Sequence, residues 1–268
     1  MPGADPLVGC RWPPLSGRHA EALRAAVAAA LARFDEDGAV LGVLATGTVV
    51  RAALGGPPPH ATSDVDLCVV HRAPFRQRVQ AWFEGVPCET FVNPPWAIRR
   101  YFAEEHAEAR PVTAHMFATG DVVLARGPVL DELRAEAATW LARPRRPSPA
   151  EAIALRYAAA TLYEDATDLL DAVPPDEAAG TLLLGRAVEA MLELRCRLAI
   201  GTVPRGKDLL TRATEADPTL GAAARIVYSD ASLAARRAAA DRCADLALGV
   251  RGFFAWDSAP DPTPDPEA

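Results

Sequence analysis

Two carboxylates stand one residue apart in Ser63-Asp64-Val65-Asp66-Leu67, at the head of an apolar run. Side chains in a strand alternate between faces, so Asp64, Asp66, Cys68 and Val70 are expected on one side, and Val65, Leu67 and Val69 on the other. Like charges on neighbouring same-side positions repel unless a cation lies between them. Oxygen donors of this kind suit Mg2+, which also takes ligands from nucleotide phosphates. A lone acid-x-acid pattern equally describes a solvated strand end, and three further features favour the metal. Thr46-Gly47-Thr48 follows an apolar stretch and leads into a helix carrying Arg51. A glycine-hydroxyl turn at a helix start is a seat for phosphate. Ser63 precedes the acids and can hydrogen-bond phosphate or position the turn. Glu89 is a charged residue inside the apolar run 86–92. Alone it reads as a surface glutamate on an edge strand; beside Asp64 and Asp66 it reads as a third carboxylate.

Elements able to hold these groups can be read along the chain. The spacing predicts a helix over 15–34, with Ser16 as N-cap and apolar residues recurring through Leu23, Val27, Leu31 and Phe34. Strands are expected over 39–46, 64–70 and 86–93, with a shorter one over 122–125. The turn 55–59, two glycines and three prolines, excludes helix and central strand. Helices are expected over 96–106 and 127–141. A proline-rich segment over 143–149 marks a domain boundary. Ser148, Pro149 and Glu151 compose a capping box that opens a helical region. There Leu155, Ala159, Leu162, Ala166 and Leu169 form a stripe. Further helices are expected over 177–200 and 208–215, after Pro218, and over 230–254 with Ala239, Cys243, Leu246 and Val250 on one face. The Pro/Asp-rich end, 257–268, reads as a disordered tail.

Composition bounds the function. The chain has 268 residues and a formal net charge of −7. A general nucleic-acid binder carries a positive excess, so nucleic acid is not the expected partner. A negative chain is compatible with a cationic substrate. Of its 28 basic residues, 27 are arginine and Lys207 is the single lysine. Five cysteines without a C-x-x-C pair or zinc spacing fit a reducing compartment. Residues 1–16 lack a signal-like apolar stretch and no long apolar run occurs, so the expected address is the cytoplasm, with no membrane span. The five histidines are scattered, and each is expected in solvent or core.

The constellation Gly47-Thr48, Asp64-x-Asp66 and Glu89 resembles the polymerase-beta-like nucleotidyltransferase superfamily. Thr48 stands where that pattern has serine, and the longer spacing to Asp64 falls in 55–61. Within the superfamily, Arg195, Lys207 and Tyr228 make the chain look most like the aminoglycoside adenylyltransferases with a helical C-terminal domain. The resemblance implies an α+β fold: a small mixed-sheet nucleotidyltransferase domain over 1–142, a linker over 143–149, and an all-α helical bundle domain over 150–256. It implies transfer of AMP from ATP to an acceptor hydroxyl, with Mg2+, two ions once ATP is bound, on Asp64, Asp66 and Glu89. Glu89 would bind the second ion or serve as general base. Gly47, Thr48, Arg51 and Ser63 would hold the triphosphate, with Arg195, Lys207 and Tyr228 reaching it from the helical domain. Read without the resemblance, these last three are a helix-end arginine, a loop lysine and a half-buried tyrosine. The implied acceptor is an aminoglycoside-like small molecule. Glu189 and Glu193 lie on the corresponding helix, with Arg186 close by, and no substrate acid matches individually. The alternatives are a protein hydroxyl, as in antitoxin-type relatives, and a non-catalytic nucleotide-binding module.

Overall fold

A computed structural model describes residues 6–56, 58–60, 62–229 and 232–257. Pro57 and Ala61 of the expected turn and loop, Asp230 at the expected start of the last helix, and residues 258–268 of the expected tail lie outside the described residues. The chain divides into two compact units, Met1–Arg143 and Pro144–Ala268.

The first unit is built on a five-stranded mixed sheet. In chain order the strands are β1 (Val40–Thr46), β2 (Val65–His71), β3 (Gln77–Phe83), β4 (Val86–Asn93) and β5 (Asp121–Ala125). They lie side by side in the order β3-β4-β2-β1-β5. β2 and β4 run parallel, and the other pairings are antiparallel. The parallel pair arises because β3 lies outside β4 and returns to it through a two-residue hairpin. Phe83 pairs with Val86, and Glu84 and Gly85 both take positive φ, 50° and 69°. A turn positive at both central residues matches the natural twist of the flanking strands.

Helices cover both faces. α1 (Gly17–Phe34) packs on one face, where Leu23, Val27 and Leu31 meet Val43, Val65, Leu67, Val69 and Val92. α3 (Pro95–Ala107), α4 (Val112–Thr119) and α5 (Val129–Leu141) supply the other core, in which Ile98, Phe102, Phe117 and Leu133 surround Leu44, Cys68 and Val70. The alternation expected of the second strand is present: Cys68 and Val70 face one core, Val65, Leu67 and Val69 the other. Ser16 sits at the N-cap of α1, but its side chain makes no cap hydrogen bond. β3 and α4 are additions to the expected elements. In β3, Val79, Ala81 and Phe83 are only half-buried and alternate with exposed Arg78, Gln80 and Trp82, the weak pattern of an edge strand.

The second unit is all-helical: α6 (Pro149–Asp171), α7 (Glu177–Ile200), α8 (Gly206–Ala216), α9 (Pro218–Val227) and α10 (Leu233–Ala247). The capping box that opens α6 is complete. Ser148 Oγ accepts from the Glu151 amide at 3.3 Å, and Glu151 accepts from the Ser148 amide at 2.7 Å. One core joins the helices, with Leu184, Val188 and Met191 against Ala159, Ala166, Leu220 and Cys243. Tyr163 is buried there, its hydroxyl donating to Asp241 at 2.5 Å. α10 is shorter than the expected 230–254, because Ser232 caps its start and Gly249 and Gly252 follow its end. None of the five cysteines is in a disulfide. Among the described residues no helix is long and apolar enough to cross a membrane.

Candidate active site

The sheet places the acids by register. Asp66 lies opposite Glu89 in the parallel β2–β4 pair and opposite Thr46 in the antiparallel β1–β2 pair. Side chains of paired residues point to the same face, so Thr46, Asp66 and Glu89 form a row across three strands. β2 starts at Val65, one residue later than expected, so Asp64 is an exposed residue immediately before the strand.

α2 (Gly47–Ala53) begins where β1 ends. Gly47 has φ +87°, and a Cβ placed on it would lie 2.2 Å from Asp66 Oδ2. Only glycine meets both conditions, so the turn closes directly onto the carboxylate. Behind it, Thr46 Oγ1 donates to the Met116 carbonyl at 3.3 Å, tying the turn to α4. Arg51 Nη2 reaches Thr48 Oγ1 at 3.4 Å, which brings two of the expected phosphate contacts together. Ser63 closes a turn, its amide donating to the His60 carbonyl at 3.0 Å, and its own carbonyl lies 3.2 Å from His19 Nε2.

Glu89 is engaged from β3. Arg78 Nε donates to Glu89 Oε1, as does Gln80 Nε2 at 2.9 Å. Both partners come from β3, which the sequence reading passed over. The signal was there in Arg78 and Gln80 alternating with Val79, Ala81 and Phe83 before the turn Glu84-Gly85. The Arg78 side chain is 60% exposed. The Glu89 side chain is only 14% exposed, so the pair joins a solvent-facing guanidinium to a largely covered carboxylate.

Carboxylates are hard oxygen donors of the kind a small divalent cation takes; the Asp66 carboxylate lies against the Gly47 turn, and Asp64 is exposed two residues before it. Among the described residues, however, no three His, Cys, Asp or Glu side chains are gathered closely enough to hold an ion. The register that sets Asp66 opposite Glu89 leaves the Glu89 carboxylate on Arg78 and Gln80.

A cavity of about 390 Å³ continues along the same sheet face. Its floor includes Cys68 and Phe91, two residues beyond Asp66 and Glu89 on their strands. α3 and α4 roof it with Tyr101, Glu105, Thr113 and Met116, and Arg76 and Arg78 stand at the β3 side. Glu105 accepts from the Thr113 amide at 2.6 Å and its hydroxyl at 2.7 Å. Burial pushes the Glu105 carboxyl above its ordinary range, and the two Thr113 bonds oppose that shift.

The three candidates of the second unit differ in their commitments. Arg195, on α7, pairs with Asp217 at 3.2 Å. The Tyr228 hydroxyl donates to the Gly185 carbonyl at 2.6 Å rather than to solvent, and burial pushes its pKa up. Lys207 is exposed in the first turn of α8.

No family model matches the chain, and neither does any curated protein. Among solved structures, the chain is similar to a nucleotidyltransferase-like protein from Exiguobacterium sibiricum 255-15. The TM-score is 0.49 at 14% identity, over 85% of this chain and 74% of that one.

Proposed function

We propose that the chain is a Mg2+-dependent nucleotidyltransferase that moves AMP from ATP to the hydroxyl of an acceptor, a small molecule by preference. The observation that carries this reading is the closure of the Gly47 turn onto Asp66, itself in register with Glu89. In the reaction the acceptor oxygen bonds to the α-phosphorus. The bond from that phosphorus to the oxygen bridging to the β-phosphate breaks, and pyrophosphate leaves with the electron pair. Asp64 and Asp66 would hold the divalent cation, which would offset charge on the attacking and leaving oxygens. Glu89 takes the hydroxyl proton or joins the metal ligands. In either case it must first exchange its bonds to Arg78 and Gln80. Gly47, Thr48, Arg51 and Ser63 orient the triphosphate, and positioning of this kind supplies most of the rate in such transfers. Lys207, a compact cation on an exposed helix start, is the best second-unit candidate for phosphate contact. Arg195 and Tyr228 would have to leave Asp217 and Gly185 to join it.

The test is incubation of purified protein with Mg2+, α-labelled ATP and a panel of small hydroxyl compounds. Label on a small molecule with release of pyrophosphate supports the reading. Label on a protein identifies the acceptor as a macromolecule, and no label under any condition leaves a nucleotide-binding module. Asp66→Asn is expected to lower transfer by at least roughly 100-fold, since several kcal/mol of charge stabilisation are at stake. Its circular dichroism should be unchanged.

A further inference from the structure

The cavity beside the carboxylates has a chemistry of its own. Its volume, about 390 Å³, lies in the range of small-molecule sites. Phe91, Met116 and Phe117 give it an apolar, ring-accepting wall. Two guanidinium groups border it, each already stacked on an aromatic ring: Arg76 over Tyr101 at 4.8 Å and Arg78 over Phe91 at 5.2 Å. Stacking holds a guanidinium in place and leaves its N–H edge to bond a carboxylate; on Arg78 the Nε of that edge is already given to Glu89. Glu105 is the one carboxylate in the wall, and both of its oxygens are occupied by Thr113. A polycationic amino sugar entering here would meet two guanidinium groups against one carboxylate, itself already bonded to Thr113.

The cavity also continues the carboxylate row. Cys68 and Phe91 follow Asp66 and Glu89 by two residues on the same face, roughly 7 Å along the strands. Arg78 belongs to both places, lining the cavity and bonding Glu89. A ring seated on Phe91 therefore lies roughly 7 Å along the strands from the row of acids, within reach of a hydroxyl-bearing substituent.

We infer that this cavity is the acceptor site, and that it takes a ring-bearing alcohol or phenol with an anionic group, the ring on Phe91 and Met116 and the anion on Arg76 and Arg78. The inference rests on the transferase reading for its reaction, which is the hydroxyl attack described above. An anionic acceptor competes with Glu89 for Arg78, so its arrival releases the Glu89 carboxylate beside the reacting hydroxyl.

Binding can be measured on the full chain without nucleotide, by ligand-observed NMR and calorimetry. The probes are a panel of hydroxybenzoates, hydroxyphenylacetates and hydroxycyclohexane carboxylates, their methyl esters, and kanamycin. Acids of the panel should bind the wild type. Arg76→Gln, a change at an exposed residue, should weaken the acids by about tenfold or more and leave the neutral esters within about twofold. Met116→Trp, which fills the cavity, should abolish binding of both. The inference is overturned if no acid of the panel binds below about 10 mM, if Arg76→Gln weakens acids and esters alike, or if kanamycin binds more tightly than the acids. Parallel incubation with Mg2+ and labelled ATP separates the two readings. Binding with the expected charge dependence but no label on any compound removes the transferase and keeps the cavity. Label on kanamycin, with no acid bound, keeps the transferase and removes the anionic acceptor site.

Discussion

At Gly47 a missing side chain is as consequential as any functional group present. Its positive φ and the 2.2 Å approach of a built Cβ to Asp66 Oδ2 mean that alanine meets strain and a clash together. Gly47→Ala is expected to cost ~1–3 kcal/mol of stability. It should also lower transfer about as much as Asp66→Asn, because the carboxylate must move. Thermal melting and the labelled-ATP assay check the two effects separately. Lys207 poses a contrasting case, since it is exposed and contributes nothing evident to packing. Lys207→Ala should raise the KM for ATP several-fold, by the loss of one charge-assisted contact, with Tm unchanged. An unaltered KM and kcat removes Lys207 from the site.

Among the elements, β1 and β5 depend on a polar clamp at the sheet's end. Asp35 Oδ1 accepts from Arg126 Nη1 at 2.6 Å and from the Val40 amide at 3.1 Å. The Arg126 bond, opposed by burial, holds the Asp35 carboxyl below its ordinary pKa. Because the folded value is depressed, the stabilisation is present above the unfolded pKa of about 3.9 and is lost as pH falls through the folded value. Asp35→Ala should cost ~1 kcal/mol near neutral pH. In urea titrations the gap to wild type should shrink as pH falls below about 4. β3 is the element that changes the reading of the site. It surrounds Glu89 with Arg78 and Gln80, and with Arg76 it gives the adjoining cavity its positive border.

The molecule as a whole carries separate cores in its two units. The helical unit has its own apolar centre around Leu184, Val188 and Met191, and its first helix is capped from within by Ser148 and Glu151. Residues 144–268 expressed alone should therefore give a helical far-UV spectrum and a single cooperative thermal transition. A broad, non-cooperative melt of that fragment would show that the unit depends on residues 1–143.

The sequence by itself determined the elements with strong periodicity and punctuation. α1, β4 and α7 follow from their apolar patterns, and α6 from Ser148-Pro149 with Glu151, because these signals are local. It also determined the alternation that puts Cys68 and Val70 on one face and Leu67 and Val69 on the other. β3 and α4 escaped because an edge strand with half-buried Val79 and Ala81, and a short helix of eight residues, have little periodicity to show. What only the tertiary structure decided is pairing. Nothing local in 64–70 or 86–93 states that Asp66 and Glu89 share a register, since that depends on β4 inserting between β2 and β3. Nor could spacing show that the Gly47 turn closes on Asp66, that Arg78 holds Glu89, or that Arg195 and Tyr228 are bound to Asp217 and Gly185. Those relations join residues 11 to 43 positions apart, and they exist only once the chain is packed.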